Sequence, residues 1–451
     1  MRLLITGGRV IDPANGVDDT LDILVADGQI VRVQGSEATA SSAEPFRDQG
    51  KKNKKPANQG ASPTNVDRVI DAAGKVVVPG LIDMHVHLRE PGREDEETIA
   101  SGTAAAARGG FTSICCMPNT EPVNDTASVT EYIIEQAKKG GCVNVFPIGC
   151  ISRGQHGEEL AEIGDLVAAG CIGLSDDGKP VMNAELMRRA MEYTTMFDIP
   201  VLPHCEDLTL STGGVMHEGR ISTELGLRGI PSMAEAVMVG RDILLSEYAG
   251  ARLHICHVST AESIRLIREA KTRGVQVSGE ATPHHLILTD EAVRGFSTHT
   301  KMNPPLRSAE DVAALREALI DGTIEVIATD HAPHASSEKE MEYDYAPFGI
   351  IGLETALGLV LTEFYHTRLL TLPMIIERLT TNPARILKLK HKGTLAPGAD
   401  ADITIIDPDQ EWNVEKNDLQ SKSKNSPFIS WKLKGRAVMT IVAGQVVQEI
   451  R

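Results

Sequence analysis

Between Val76 and about residue 330 an apolar run of strand length recurs eight times: KVVVPGLIDMHVH, FTSICCMPN, VNVFPIGC, GCIGLSDDG, IPVLPHCED, RLHICHVS, VQVSGEATPHH and IEVIATDHAPH. Short runs rich in β-branched residues and bounded by Gly, Pro or Asn read as buried strands. The segments between them, such as AESIRLIREAKTRG after the sixth run, have helical periodicity and end in Gly. Regular alternation of buried strand and helix leaves few architectures. Eight repeats predict an α/β chain whose centre is a closed, parallel (β/α)8 TIM-like barrel, with an open doubly wound sheet as the weaker alternative. No Gly-rich dinucleotide fingerprint follows the first run. The core must be aliphatic, since 41% of the 451 residues are apolar but only 4% aromatic.

Both ends of the chain read differently. RLLITGGRVIDP and LDILVADGQIVRV are short strands punctuated by Asn15-Gly16 and Asp27-Gly28 turns, and GTLAPGADADITIIDP and SWKLKGRAVMTIVAGQVVQEI return to that pattern after the barrel. The economical arrangement pairs residues 1–75 with 391–451 in one small β-sandwich beside a barrel of residues 76–390. Residues 36–66 are polar and nearly devoid of large apolar side chains, so they read as a disordered insertion. Their cluster Lys51, Lys52, Lys54 and Lys55 is expected to be a solvated loop.

A formal charge of -17, from 62 acidic against 45 basic residues, disfavours nucleic acid and anionic membranes as partners. No stretch approaches the roughly 18 apolar residues of a membrane span, and the opening MRLLITGGRVIDP is too short in apolar residues for a signal peptide. A cytoplasmic protein is expected. The seven cysteines sit mostly in apolar runs and read as reduced core thiols. Cys205 and Cys256 adjoin His204 and His257, and strand alternation predicts that both thiols pack outward under helices.

Barrels keep their chemistry at the carboxyl ends of the strands. That is where this chain places His85 and His87 (run one), Asp176-Asp177 (run four), His204 (run five), His257 (run six) and Asp330-His331 (run eight). One such histidine is more often a capping group, and one such Asp a helix N-cap. Five strand ends together suit zinc or a similar borderline metal. Arg89, two residues past His87, supplies a cation for a small anionic ligand; its plainer alternative is a salt bridge to Glu90 or Glu94.

The blocks HVHLREPG, MPNT, SDDG, HCED, HVST, TPHHL, MNPPLR and ATDHAPH, in this order, resemble the amidohydrolase superfamily and within it the dihydroorotases of the bacterial, Asp-bridged type. The resemblance runs from about residue 70 to the C-terminus and also fits the opening β segment. It implies one or two Zn2+ per subunit: His85, His87 and Asp330 on one ion, His204 and His257 on a second, and Asp177 bridging. Lys179, beyond a Gly turn, is a poor substitute for the carboxylated lysine that bridges in hydantoinases and allantoinases. Asp330 would carry the proton, and Asp176 would orient its loop. The implied activity is the reversible cyclisation of N-carbamoyl-L-aspartate to L-dihydroorotate and water in pyrimidine biosynthesis.

Substrate contacts implied alongside Arg89 are Asn119, Asn303 and His334, with Pro347 and Phe348 at the end of a polar loop from Ala335 that could close over the substrate. His284 and His285 are expected to be structural. Hydantoinase or allantoinase activity would require a lysine bridge in place of Asp177 and no Arg89–Asn119 pair. A non-catalytic scaffold for aspartate transcarbamoylase would have lost ligands that this chain retains. The resemblance further implies a homodimer and admits aspartate transcarbamoylase as a partner.

Overall fold

The computed structural model describes residues 1–35 and 66–450. The polar segment 36–66, with its lysine cluster, lies outside the described residues except for Val66.

Eight parallel segments close into a barrel. Leu81–Val86, Phe111–Cys116 and Asn144–Pro147 form one run of ladders, and Leu253–Ile255, Val277–Ala281 and Val326–Ile327 another. Between them the fourth and fifth positions are held by single parallel bridges, Gly149 to Leu174, Leu174 to Val201 and Val201 to Leu253. A further bridge, Val86 to His331, joins the last segment to the first. The fourth and fifth segments are minimal strands because loops that carry side chains take over soon after Leu174 and Val201.

Helices follow the strands after intervening loops, and their caps fix where each helix begins. Thr98 accepts from Ser101 N ahead of Ile99–Gly109, Asn183 caps Ala184–Phe197, and Thr260 accepts from Ser263 N ahead of Ala261–Thr272. Each cap satisfies helix-end N–H groups that would otherwise be orphaned, and so fixes where the preceding loop must end. Between barrel and helices lies a continuous aliphatic core, including Leu81, Ile114, Leu174, Val201, Ile255 and Ile327. Burying each such side chain contributes roughly 1.5–3 kcal/mol.

The two chain ends build one eight-stranded sheet. Arg2–Asp12 pairs antiparallel with Val17–Ala26, which turns through Asp27 (φ 51°) and Gly28 (φ 80°) into Gln29–Gly35. The Asp-Gly pair suits that turn, which needs positive φ at both positions. From the other end, Ile403–Asn413, Lys432–Val442 and Gln445–Glu449 continue the sheet. Ile30 N bonds Ala399 O at 2.9 Å, so the far edge folds back toward the strand Ile403–Asn413. A separate core of Leu3, Ile5, Ile23, Ile403, Ile405 and Ile441 lies inside.

The first apolar run of the sequence divides in two. Val76–Pro79 pairs with Arg2–Asp12 and Ile403–Asn413 in the terminal sheet, and only Leu81–Val86 enters the barrel. Gly80 sits between them because a Cβ there would overlap the Thr112 side chain.

Candidate metal centre

The first barrel strand is irregular where its ligands begin. Its register against the second strand shifts between Asp83 and Val86, a bulge that breaks the alternation of faces and re-aims side chains. Arg89, His257 and Asp330 all have positive φ, at 61°, 33° and 47°. These strained conformations lie at strand ends and turn the side chains toward one point.

There His85, His87, Asp177, His204, His257 and Asp330 meet, all buried. His87 Nε2 lies 3.0 Å from Asp330 Oδ1 and 3.4 Å from Asp177 Oδ2, and His85 Nε2 lies 3.4 Å and 3.5 Å from Oδ1 of the same two carboxylates. On the other side of Asp177, its Oδ1 is 3.6 Å from His204 Nδ1 and 3.4 Å from His257 Nε2, which are themselves 3.0 Å apart. Asp177 thus stands between two groups. Lys179 is exposed beyond the turn, and Asp176 faces away, accepting from Ile151 N, Ser152 N and the Ser152 hydroxyl.

Carboxylates favour positive charge on two of the imidazoles, His85 and His204, whereas burial and the nearby Arg89 charge lower His87. Burial works against ionising His85, yet the Asp330, Asp177 and Glu280 carboxylates drive it well above its ordinary value. Burial opposes His204 in the same way, but Asp177 and Glu206 raise it to about 10. Asp177 and Asp330 are raised by burial and lowered further by the surrounding imidazoles, ending below the usual carboxylate range. Two buried atoms aimed into the cluster, His85 Nε2 and Asp177 Oδ1, have no hydrogen-bond partner. Nitrogen and carboxylate donors around unpartnered polar atoms are what a divalent ion satisfies. His85, His87 and Asp330 offer ligand atoms within 4.8 Å of one another, as do His85, Asp177 and His257.

The other sequence candidates fall into two groups. Arg89 is ion-paired through Nε to Glu96 at 3.0 Å and donates to Pro333 O at 3.2 Å. Glu90 and Glu94 instead accept from backbone N–H groups of Ile99 and Gly92. Glu96 also holds His334 Nδ1 at 2.8 Å, so one carboxylate ties Arg89 to His334. Asn119 Oδ1 lies 2.8 Å from His87 Nδ1, where it buttresses the imidazole. Asn303 donates to Glu206 Oε2 at 2.8 Å, and that oxygen is 3.0 Å from His204 Nε2. Pro347 and Phe348 join the arrangement through their carbonyls, Phe348 O accepting from His334 Nε2 at 2.8 Å and Pro347 O from Lys339 Nζ at 2.7 Å.

Two expectations about neighbours need correction or refinement. Cys256 faces the barrel interior, with its sulfur within 4.8 Å of ligand atoms of His85 and Glu280; the positive φ of His257 breaks the alternation that placed it outside. Cys205 packs outward as expected, its thiol 3.8 Å from Asp242 on the following helix. His284 and His285 are buried on a short helix, Pro283–Ile287, and His285 bonds Thr282 Oγ1 and Pro304 O.

Sequence reasoning missed the carboxylates behind the ligands. Glu280 lies 2.7 Å from His85 Nδ1 and 3.1 Å from His254 Nε2, and accepts from His257 N at 3.3 Å. A signal was available, because a glutamate inside the apolar run VQVSGEA must be paired if buried. Asn425 in the C-terminal segment was also missed. It joins His334 N, Ala332 O and Gly349 O, bracing the loop after the last strand.

A dihydro-orotase-like family model matches residues 74–263, and an amidohydrolase family model matches residues 308–448. The chain is 57% identical, over its full length and 99% of the relative, to a curated dihydroorotase of Pelotomaculum thermopropionicum. It is 53% identical, over the full length of both, to one of Syntrophus aciditrophicus. Among solved structures, an L-hydantoinase (dihydropyrimidinase) from Arthrobacter aurescens superposes with a TM-score of 0.84 at 27% identity, covering 99% of this chain and 96% of that one. The dihydropyrimidinase of Brevibacillus agri has the same fold, with a TM-score of 0.82 at 24% identity over 100% and 95% of the two chains.

Proposed function

Because the chain belongs to the dihydroorotase family of the amidohydrolases, we propose that it is a dihydroorotase, interconverting N-carbamoyl-L-aspartate and L-dihydroorotate with loss or gain of one water. The observation that carries this reading is the convergence of four histidines on Asp177, with Asp330 against two of them and Arg89 anchored beside them. His85, His87 and Asp330 would hold one zinc ion, His204 and His257 a second, and Asp177 would serve both. Bound zinc supplies Lewis acidity, polarising a carbonyl and lowering the pKa of water to about 7.

The protein's own residues provide the rest. Asp330 is held ionised and in contact with His87, so in ring opening it accepts the proton of the attacking water and delivers it to the departing ring nitrogen. Cyclisation runs the same transfer backwards. Arg89 keeps Nε on Glu96 and Pro333 O, while neither of its terminal nitrogens donates a hydrogen bond within the described residues. That fork is available for the substrate carboxylate. Asn119, Asn303 and His334 complete the ring of polar groups around that position, and Pro347 and Phe348 close it.

We place the chain in the cytoplasm, a reading that its seven free cysteines support. We assign it a homodimeric state. Aspartate transcarbamoylase, which makes N-carbamoyl-L-aspartate, is its candidate partner enzyme.

The test is turnover of L-dihydroorotate by zinc-reconstituted protein, run beside 5-substituted hydantoins and allantoin, with Asp330→Asn as control. Turnover of dihydroorotate alone, lost in the control, is expected. Turnover of hydantoins would refute the roles of Arg89 and Asp177.

A further inference from the structure

Lysine is almost never fully buried without an opposite charge, because its ammonium must be taken out of water. Lys339 breaks that pattern. It is 4% exposed, and its Nζ rests on two backbone carbonyls, Pro347 O at 2.7 Å and Gly349 O at 3.1 Å. Beside it lies a small cavity of about 60 Å³, which Lys416, Lys424 and His299 also line. The Lys424 ammonium, like that of Lys339, donates to carbonyls, those of Leu419 and Ser421. Lys416 is exposed, and its ammonium has no ion-pair or hydrogen-bond partner among the described residues. Three ammonium groups therefore surround one cavity, and among the described residues none of them is bonded to a carboxylate.

The remaining wall suits the same kind of ligand. Burial and the charges of Lys339 and Lys416 hold His299 neutral, and its Nδ1 is a buried atom with no hydrogen-bond partner. Burial, with Lys301 nearby, likewise pulls Lys339 down to about 7, which an anion in the cavity would reverse. Glu340 is the single carboxylate of the lining residues, and it is exposed. At roughly 30 Å³ per water the space equals about two waters, so one compact ion fills it. Its donors come from separate segments of chain and face the cavity from several walls, an arrangement that matches the tetrahedral oxygens of a phosphate better than the flat pair of a carboxylate.

We infer that this cavity is a binding site for a phosphate group, either free or as the end group of a phosphomonoester. No metal ligand lines it. It adjoins the substrate position instead, because His334 and Asn425 form part of its wall, and Asn425 holds Gly349 O, the carbonyl on which Lys339 also rests. A bound phosphate would keep Lys339 charged and so fasten the loop that carries Pro347 and Phe348.

Isothermal titration of the zinc-loaded full chain with inorganic phosphate, at neutral pH and constant ionic strength, reads the site without any turnover. The double variant Lys416→Ala/Lys424→Met should weaken binding by about tenfold or more, with an unchanged far-UV spectrum. Glu340→Gln, which removes the carboxylate from the wall, should tighten it several-fold, a gain that a folding defect cannot produce. Adenosine 5′-monophosphate titrated in parallel separates the sources: binding comparable to that of phosphate means the group is taken on a carrier, and binding of phosphate alone means the free ion. Phosphate binding that neither variant changes would belong to the metal centre and would overturn the site. Displacement of phosphate by N-carbamoyl-L-aspartate would make the cavity part of the substrate pocket and overturn it as a separate site. No binding at millimolar phosphate would overturn it outright, and dihydroorotate turnover on the same samples reports on the enzymatic reading independently.

Discussion

Replacing Glu280 tests whether one buried carboxylate orients ligands on both sides of the centre. Its Oε1 faces His85 Nδ1 at 2.7 Å, its Oε2 faces His254 Nε2 at 3.1 Å, and His257 N donates to it at 3.3 Å. Hydrogen bonds to a charged group contribute about 1.5–3 kcal/mol each. Glu280→Leu removes all three and leaves two imidazole nitrogens and one backbone N–H buried without partners, so it should lower unfolding free energy by about 4–9 kcal/mol. Glu280→Gln keeps the shape and, with a tautomer change at His254, both contacts; its stability should fall by only about 1 kcal/mol. What it loses is the charge that raises the basicity of His85. Removing such a support typically weakens metal binding about 10- to 100-fold. Urea denaturation of the metal-free protein measures the first effect, and chelator competition for zinc the second. If Glu280→Gln holds zinc as tightly as wild type while Glu280→Leu loses under about 1 kcal/mol, the reasoning fails.

Other substitutions probe separate links. Arg89→Lys keeps the charge but not the fork and should lower kcat/KM for dihydroorotate about 10- to 100-fold with zinc content unchanged, as measured by steady-state kinetics and metal analysis. Lys339 is buried beneath the loop after the last strand, and burial, with Lys301 nearby, pulls its ammonium from 10.5 down to about 7. Between those values the unfolded chain binds the extra proton, so this group makes stability rise with pH by up to ~1.4 kcal/mol per unit. Lys339→Met should flatten that slope in urea melts between about pH 7.5 and 9.5, and an unchanged slope would dismiss the assignment. Gly80→Ala should destabilise by about 1–3 kcal/mol or more, read from the urea midpoint, since its Cβ would overlap a stiff, β-branched Thr112.

The eight apolar runs and their Gly-ended helical spacers made the barrel legible because burial on both faces leaves a continuous record along the chain. His85, His87, Asp177, His204, His257 and Asp330 were legible for a related reason: polar, ligand-type residues at the ends of apolar runs have few ordinary roles. The errors came where two-residue alternation failed. Cys256 faces inward because His257 adopts positive φ, and the run from Val76 splits at Gly80 because the backbone passes too close to Thr112 for a side chain.

Local order along the chain thus decided the elements, their sequence and the identity of the groups gathered at one end of the barrel. Only the tertiary structure decided how those groups are held. Glu280 and His85 are 195 positions apart, Glu96 and His334 238, and Asn425 reaches His334 from 91 residues away. Hydrogen bonds of this kind act over about 3 Å and leave no periodic trace in sequence. They exist only once the barrel has closed and the C-terminal segment has folded back across its mouth.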